Sequence, residues 1–350
     1  MKRFLRFLFW GLLMSLPACE IPFPLDQDAE PRIYLQCIGV ETGIRLTPQY
    51  AAPVSAPGGS LKNLSVEMQV NGAPVSAEVQ ADGSFYSSTL LQGGDHLDVS
   101  VKADGVTPVH GSTRVPAQSS VLDVQLKNIQ VDTIKATRVS LTLDHAPGEG
   151  EYFGIQIEAV SEVTYLTGES EHFVTWLTPG YILSAAESGN FDLEDFVQVN
   201  YDGFTLGSKE YMPLTLVTRK QFEGAIYSFY LNSYDTSILN GIRDRMPGGD
   251  TDVIGGGIVS GDVAPGSGEG QLDPSKIPVS LETVYHVNFF SLSPEFYNYA
   301  KALYQSNFDF LSNMGLTPAN FTWSNVSGGL GFVGAIIATW VRALEIPEES

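Results

Sequence analysis

Apolar and polar residues alternate with a period of two along much of the chain, and that period predicts strands. Leu64, Val66, Met68 and Val70 alternate with Ser65, Glu67 and Gln69, and Asn71-Gly72 then supplies the positive φ angles of a tight hairpin turn. Leu97, Val99 and Val101 alternate with Asp98, Ser100 and Lys102, while Asp82-Gly83 and Asp104-Gly105 mark further turns. Short strands at this spacing predict an immunoglobulin-like or carboxypeptidase-regulatory-like β-sandwich over residues 32–118.

The pattern continues beyond it. Val139, Leu141 and Leu143 form one alternating set, Phe153, Ile155 and Ile157 a second, Tyr227, Phe229 and Leu231 a third, and a longer set runs from Val279 to Phe289. Nothing alternates β with α units, so a doubly wound sheet is not expected. One segment changes period: Phe296, Tyr299, Ala300, Leu303, Phe310 and Met314 recur at helical spacing, behind a Ser293 N-cap and Pro294 at the first helical position. The expectation is a mainly β chain. A second β-rich domain spans residues 119–345, with one prominent helix over 293–314. Residues 237–277 are too rich in glycine and aspartate for a core element and predict a long loop.

The N-terminus obeys neither period. Lys2, Arg3 and Arg6 precede an apolar run from Phe7 to Leu16, too short to span a bilayer and typical of a secretory leader over residues 1–18. Leu16-Pro17-Ala18-Cys19 has the look of a bacterial lipobox, in which Cys19 is acylated and becomes the first mature residue. Residues 19–31, rich in proline and acid, then read as an anchor and extended tether. The second of the two cysteines, Cys37, lies in a strand-like run and is expected to be a buried small hydrophobe.

Charge narrows the partners. At a formal −21, with 19 Lys and Arg scattered among 40 Asp and Glu, the chain lacks the basic surface that nucleic acid requires. Catalytic signatures are also missing from the sequence. His96, His110, His145, His172 and His286 make no H-E-x-x-H, no serine sits in G-x-S-x-G, and no phosphate-binding P-loop occurs. Asp244, Asp250, Asp252, Asp262, Glu269 and Asp273 crowd the long loop, yet match neither calcium-loop spacing. No cofactor or metal is expected. Gly329, Gly331 and Gly334 do spell G-x-G-x-x-G, but a dinucleotide fold needs a strand and an acidic residue about 20 positions further on. The sequence after Gly334 runs only to Ser350, so these glycines call for a structural reason.

The lipobox, the sandwich pattern, the helix "SPEFYNYAKAL" and the tail "GLTPANFTWSNVSGGLGFVGA" together resemble a family of Bacteroidota outer-membrane lipoproteins, domain of unknown function 4249. The resemblance implies that Gly328, Gly329, Gly331 and Gly334 are a structural signature, permitting bulged or tightly packed backbone where the final strands, including Ile336 to Trp340, close the second domain. It also implies a surface lipoprotein held in the outer membrane through the acyl chains of Cys19. Such a protein is expected to be a non-enzymatic accessory to a TonB-dependent receptor barrel, helping it to capture or admit an unknown ligand. A structural or adhesive surface lipoprotein and a surface hydrolase with a dispersed site are the alternatives.

Overall fold

The computed structural model describes residues 30–52, 59–131, 134–177, 197–201, 212–232, 278–307 and 323–344. Cys19, the long loop over 237–277 and the predicted helical positions beyond residue 307 lie outside them. In chain order the strands are β1 (Arg32–Val40), β2 (Gly43–Ala51), β3 (Ser65–Val70), β4 (Ala73–Val75), β5 (Glu78–Val79), β6 (Phe85–Ser87), β7 (His96–Lys102), β8 (Val109–Arg114) and β9 (Val121–Val131). Then come β10 (Ile134–Leu143), β11 (Tyr152–Tyr165), β12 (Ser170–Leu177), β13 (Val197–Tyr201), β14 (Met212–Thr218), β15 (Phe222–Glu223), β16 (Ile226–Asn232) and β17 (Pro278–Leu292). Helix α1 (Pro294–Asn307), β18 (Val326–Ser327) and β19 (Leu330–Leu344) complete the described elements. The protein is mainly β, as its periodicity predicts.

The strands form one large sheet and two small ones. The large sheet runs β13-β14-β11-β17-β19-β1-β2-β6-β5, with β12 added beside β11. A five-stranded sheet, β18-β8-β7-β3-β4, and a four-stranded sheet, β15-β16-β10-β9, each cover part of it. The first sandwich core joins Ile33, Leu35 and Cys37 of β1 to Leu97, Val99 and Val101 of β7, and all six are nearly or fully buried. The second joins Phe153, Ile155 and Ile157 of β11 to Val139 and Leu141 of β10 and Phe229 of β16. These are alternate positions on each strand, so a period of two in the sequence becomes one apolar face per strand.

On the other side of the large sheet lies α1. Its Phe296, Tyr299 and Ala300 pack with Ile38, Leu214, Leu292 and Phe332, drawn from four different strands. Tyr299 stacks on Phe332 at 3.8 Å between ring centroids and Tyr297 on Tyr152 at 4.0 Å. The helix therefore fills the layer over the centre of the sheet, as its apolar spacing requires.

Strand β19 belongs to both sandwiches. Its first half pairs in parallel with β1, from Leu330 opposite Tyr34 to Ala335 opposite Gly39, and sends Val333, Ala335 and Ile337 into the first core. Its second half pairs antiparallel with β17 and sends Trp340 and Leu344 into the second. The register shifts between them: Phe289 faces Trp340 and Phe290 faces Ala338, so Thr339 has no residue opposite it on β17. One extra residue keeps Ile337 and Trp340 on the same face although their numbers differ in parity. The final strand thus also closes the first sandwich. A sequence division near residue 118 does not show this, because parallel pairing between the two ends of a chain leaves no local signal.

Candidate functional site

The C-terminal segment from Trp323 to Ala335 is where α1, β1, β8 and β19 meet, and its residues have separable tasks. Over residues 330–335 one edge of β19 is paired with β1, while its other edge is not reached by β17, whose register begins at Ile336. Side chains take the place of a strand there. Val333 N–H donates to Asn325 Oδ1 at 2.9 Å, and Asn325 Nδ2 donates to the Val333 carbonyl at 2.8 Å and to the Ser112 carbonyl of β8 at 2.9 Å. The amide of Asn325 thereby imitates one peptide unit of a neighbouring strand. Two residues further along β19, Ser293 does the same for Ala335: its N–H donates to the Ala335 carbonyl at 2.9 Å, and its Oγ accepts the Ala335 N–H at 3.0 Å. That Oγ also accepts the Phe296 N–H at 3.2 Å, so the buried Ser293 is at once the N-cap of α1 and an edge partner of β19.

The four glycines permit this convergence. Gly328 and Gly331 adopt positive φ, +78° and +111°, and a Cβ on them would run into the carbonyl oxygens of Pro108 and Leu35 respectively. At Gly329 a Cβ would meet the Ile33 carbonyl and Val109, and at Gly334 it would stand 2.9 Å from Cβ of Phe296, where α1 crosses β19. None of the four lies at the bulge of β19, which falls at Thr339. The sequence pattern singled out these glycines, but not Asn325 or Gly111. A Cβ on Gly111 would stand 2.6 Å from a methyl group of Val333. Asn325→Ala removes three hydrogen bonds and leaves the Val333 N–H and carbonyl without partners on that edge, an expected loss of about 2–4 kcal/mol. Urea denaturation of the variant measures it, and a change below about 0.5 kcal/mol would show that water replaces the amide.

Titratable groups gather elsewhere, at the surface. His96 Nδ1 lies 2.7 Å from Asp98 Oδ2 on β7, and His110 Nε2 of β8 lies 3.6 Å from Asp98 Oδ1. In the turn between β10 and β11, His145 bridges Asp144 at 2.7 Å and Glu151 at 3.3 Å. The hydrogen bond that His145 donates to Asp144, aided by the one to Glu151, raises its imidazole above its ordinary range, and the same bond lowers Asp144. His172 stands opposite Glu162 and His286 opposite Glu158, on separate rungs of the sheet. Among the described residues no three His, Cys, Asp or Glu side chains are arranged to hold a metal ion. Cys37 is fully buried, and burial pushes its thiol up, so it is an inert part of the first core. Cys19 lies outside the described residues, among which no helix is long and apolar enough to cross a membrane.

The residues that organise the structure are therefore those of the C-terminal closure, and a comparison with protein families agrees on the extent of the unit. The family described as "Domain of unknown function (DUF4249)" matches residues 23–339. The chain belongs to this family. No curated protein matches it. Within this DUF4249 chain the match takes in the first sandwich, α1, Asn325, all four glycines of the closure and the second sandwich apart from the end of β19, and it reaches Thr339, where the register of β19 shifts.

Proposed function

We propose that this chain is a non-enzymatic, lipid-anchored accessory protein of an outer-membrane TonB-dependent transporter, displayed at the cell surface, where it helps the barrel to capture or admit its ligand. The observation that carries the reading is the N-terminal sequence. A basic, short apolar leader ends at Leu16-Pro17-Ala18-Cys19 and is followed by the proline-rich, acidic stretch from Glu20 to Pro31. Acyl chains on Cys19 would hold the protein on a membrane, and two chains are needed for a stable anchor. The tether would let the sandwiches stand clear of the lipid and present their turns to a partner. The transporter itself enters through the family resemblance. The fold is neutral on this point, since sandwiches serve many functions.

The test is purification of the tagged protein from its own outer membrane in mild detergent, with wild type and Cys19→Ala compared by intact mass. Acylation at Cys19 and stoichiometric recovery of a TonB-dependent barrel are the expected results. An acylated protein recovered without a barrel overturns the transporter assignment and favours an adhesive or hydrolytic role. An unmodified Cys19 overturns the anchor.

A further inference from the structure

Strand β9 is an edge of unusual character in this protein. It is eleven residues long and free of proline, and among the described residues only β10 pairs with it. The other edges are shorter: β12 has eight residues, β13 five, β5 two, and β4 three, one of them Pro74. Short strands and proline are the usual ways of blunting an edge against pairing with another chain. At the start of β9 the register shifts so that Leu122 has no residue opposite it on β10, and Leu122 is 68% exposed.

The central residues of β9, Asp123-Val124-Gln125-Leu126-Lys127, are complementary to themselves when reversed. In an antiparallel pair related by a two-fold axis through Gln125, Asp123 of each copy faces Lys127 of the other, Val124 faces Leu126, and Gln125 faces Gln125. Asp123, Gln125 and Lys127 are exposed and share one face, while Val124 and Leu126 are half-buried against the second core on the other. Pairing would therefore place two opposite-charge pairs on the outer face and carry the apolar inner face across the junction. Within one copy Lys127 stands opposite Arg138, a like-charged neighbour that Asp123 of a second copy would offset. We propose that β9 is a self-pairing surface: two copies of this chain join edge to edge through residues 123–127 and make one eight-stranded sheet of their two four-stranded ones. Such an interface is isologous and closes on itself as a dimer, so it does not lead to open chains of molecules. It depends neither on the lipid anchor nor on a transporter.

The experiment uses the full chain extracted in mild detergent. Gln125→Cys should form an intermolecular disulfide under gentle oxidation, because directly opposed residues of an antiparallel pair have Cα atoms about 4.5–5.5 Å apart, within disulfide reach. Lys62→Cys, on the first sandwich, should not. In sedimentation velocity, Asp123→Lys and Lys127→Asp should each weaken the dimer about tenfold by setting like charges opposite one another. The double exchange should restore it. A monomer at every concentration with no Gln125→Cys cross-link overturns the proposal. So does cross-linking of residue 125 to a different protein, or dimerisation that ignores both charge reversals.

Discussion

Gly331→Ala is expected to abolish stable folding, with a loss above about 4 kcal/mol, at the extreme of single-residue effects. Two separate costs combine. The backbone at Gly331 sits at φ +111°, where any side chain is strained. The added Cβ would also run into the carbonyl of Leu35, its direct partner in the parallel pairing of β1 with β19. Neither atom is the movable end of a side chain, so the strands themselves must separate. Gly150→Ala is the control: its φ is +85°, yet nothing lies within 4 Å of the added Cβ. There only the conformational cost applies, about 1 kcal/mol. Chemical denaturation of both variants separates the two contributions, and equal losses would refute the collision at Leu35.

A chain stopped after Gly329 should lose both sandwiches together. Strand β19 supplies Val333 and Ile337 to the first core, Trp340 and Leu344 to the second, and Phe332 to the layer beneath α1. At roughly 1.5–3 kcal/mol for each large apolar side chain buried, these five together are comparable with the whole stability of an ordinary domain, about 5–15 kcal/mol. The parallel partner of β1 and the antiparallel partner of β17 go with them. The expected product binds a hydrophobic dye and shows no cooperative thermal transition. A surviving sharp transition would mean that one sandwich stands without the last strand.

The strands were legible in the sequence because alternation is a local property. Leu97, Val99 and Val101, or Val139, Leu141 and Leu143, declare one buried face within a few residues, and each of these side chains is almost wholly buried. The start of α1 was legible for the same reason, since a cap and a first-turn proline are read from neighbours. The glycines were legible as an anomaly, four small residues in a segment where no nucleotide site is expected. Their reasons were not, because Leu35, Pro108 and Phe296 are brought to them only by the fold. Asn325 left no signal at all: it lies in an Asn-Val-Ser run like many in surface turns, and its clamp exists only once β19 arrives beside it. The division near residue 118 marks a change of sheet in the chain, yet a strand more than two hundred residues away completes the first sandwich.

That arrangement sets the order of events when the protein is made. Nearly three hundred residues separate β1 from its parallel neighbour β19, so β1 is made long before half of its pairing. Until then Ile33 and Leu35 lack the Val333 and Ile337 side chains of their core, and contacts so distant along the chain are slow to form. Closure of both sandwiches is consequently one late step, because the same strand brings Val333 and Ile337 to one core and Trp340 and Leu344 to the other.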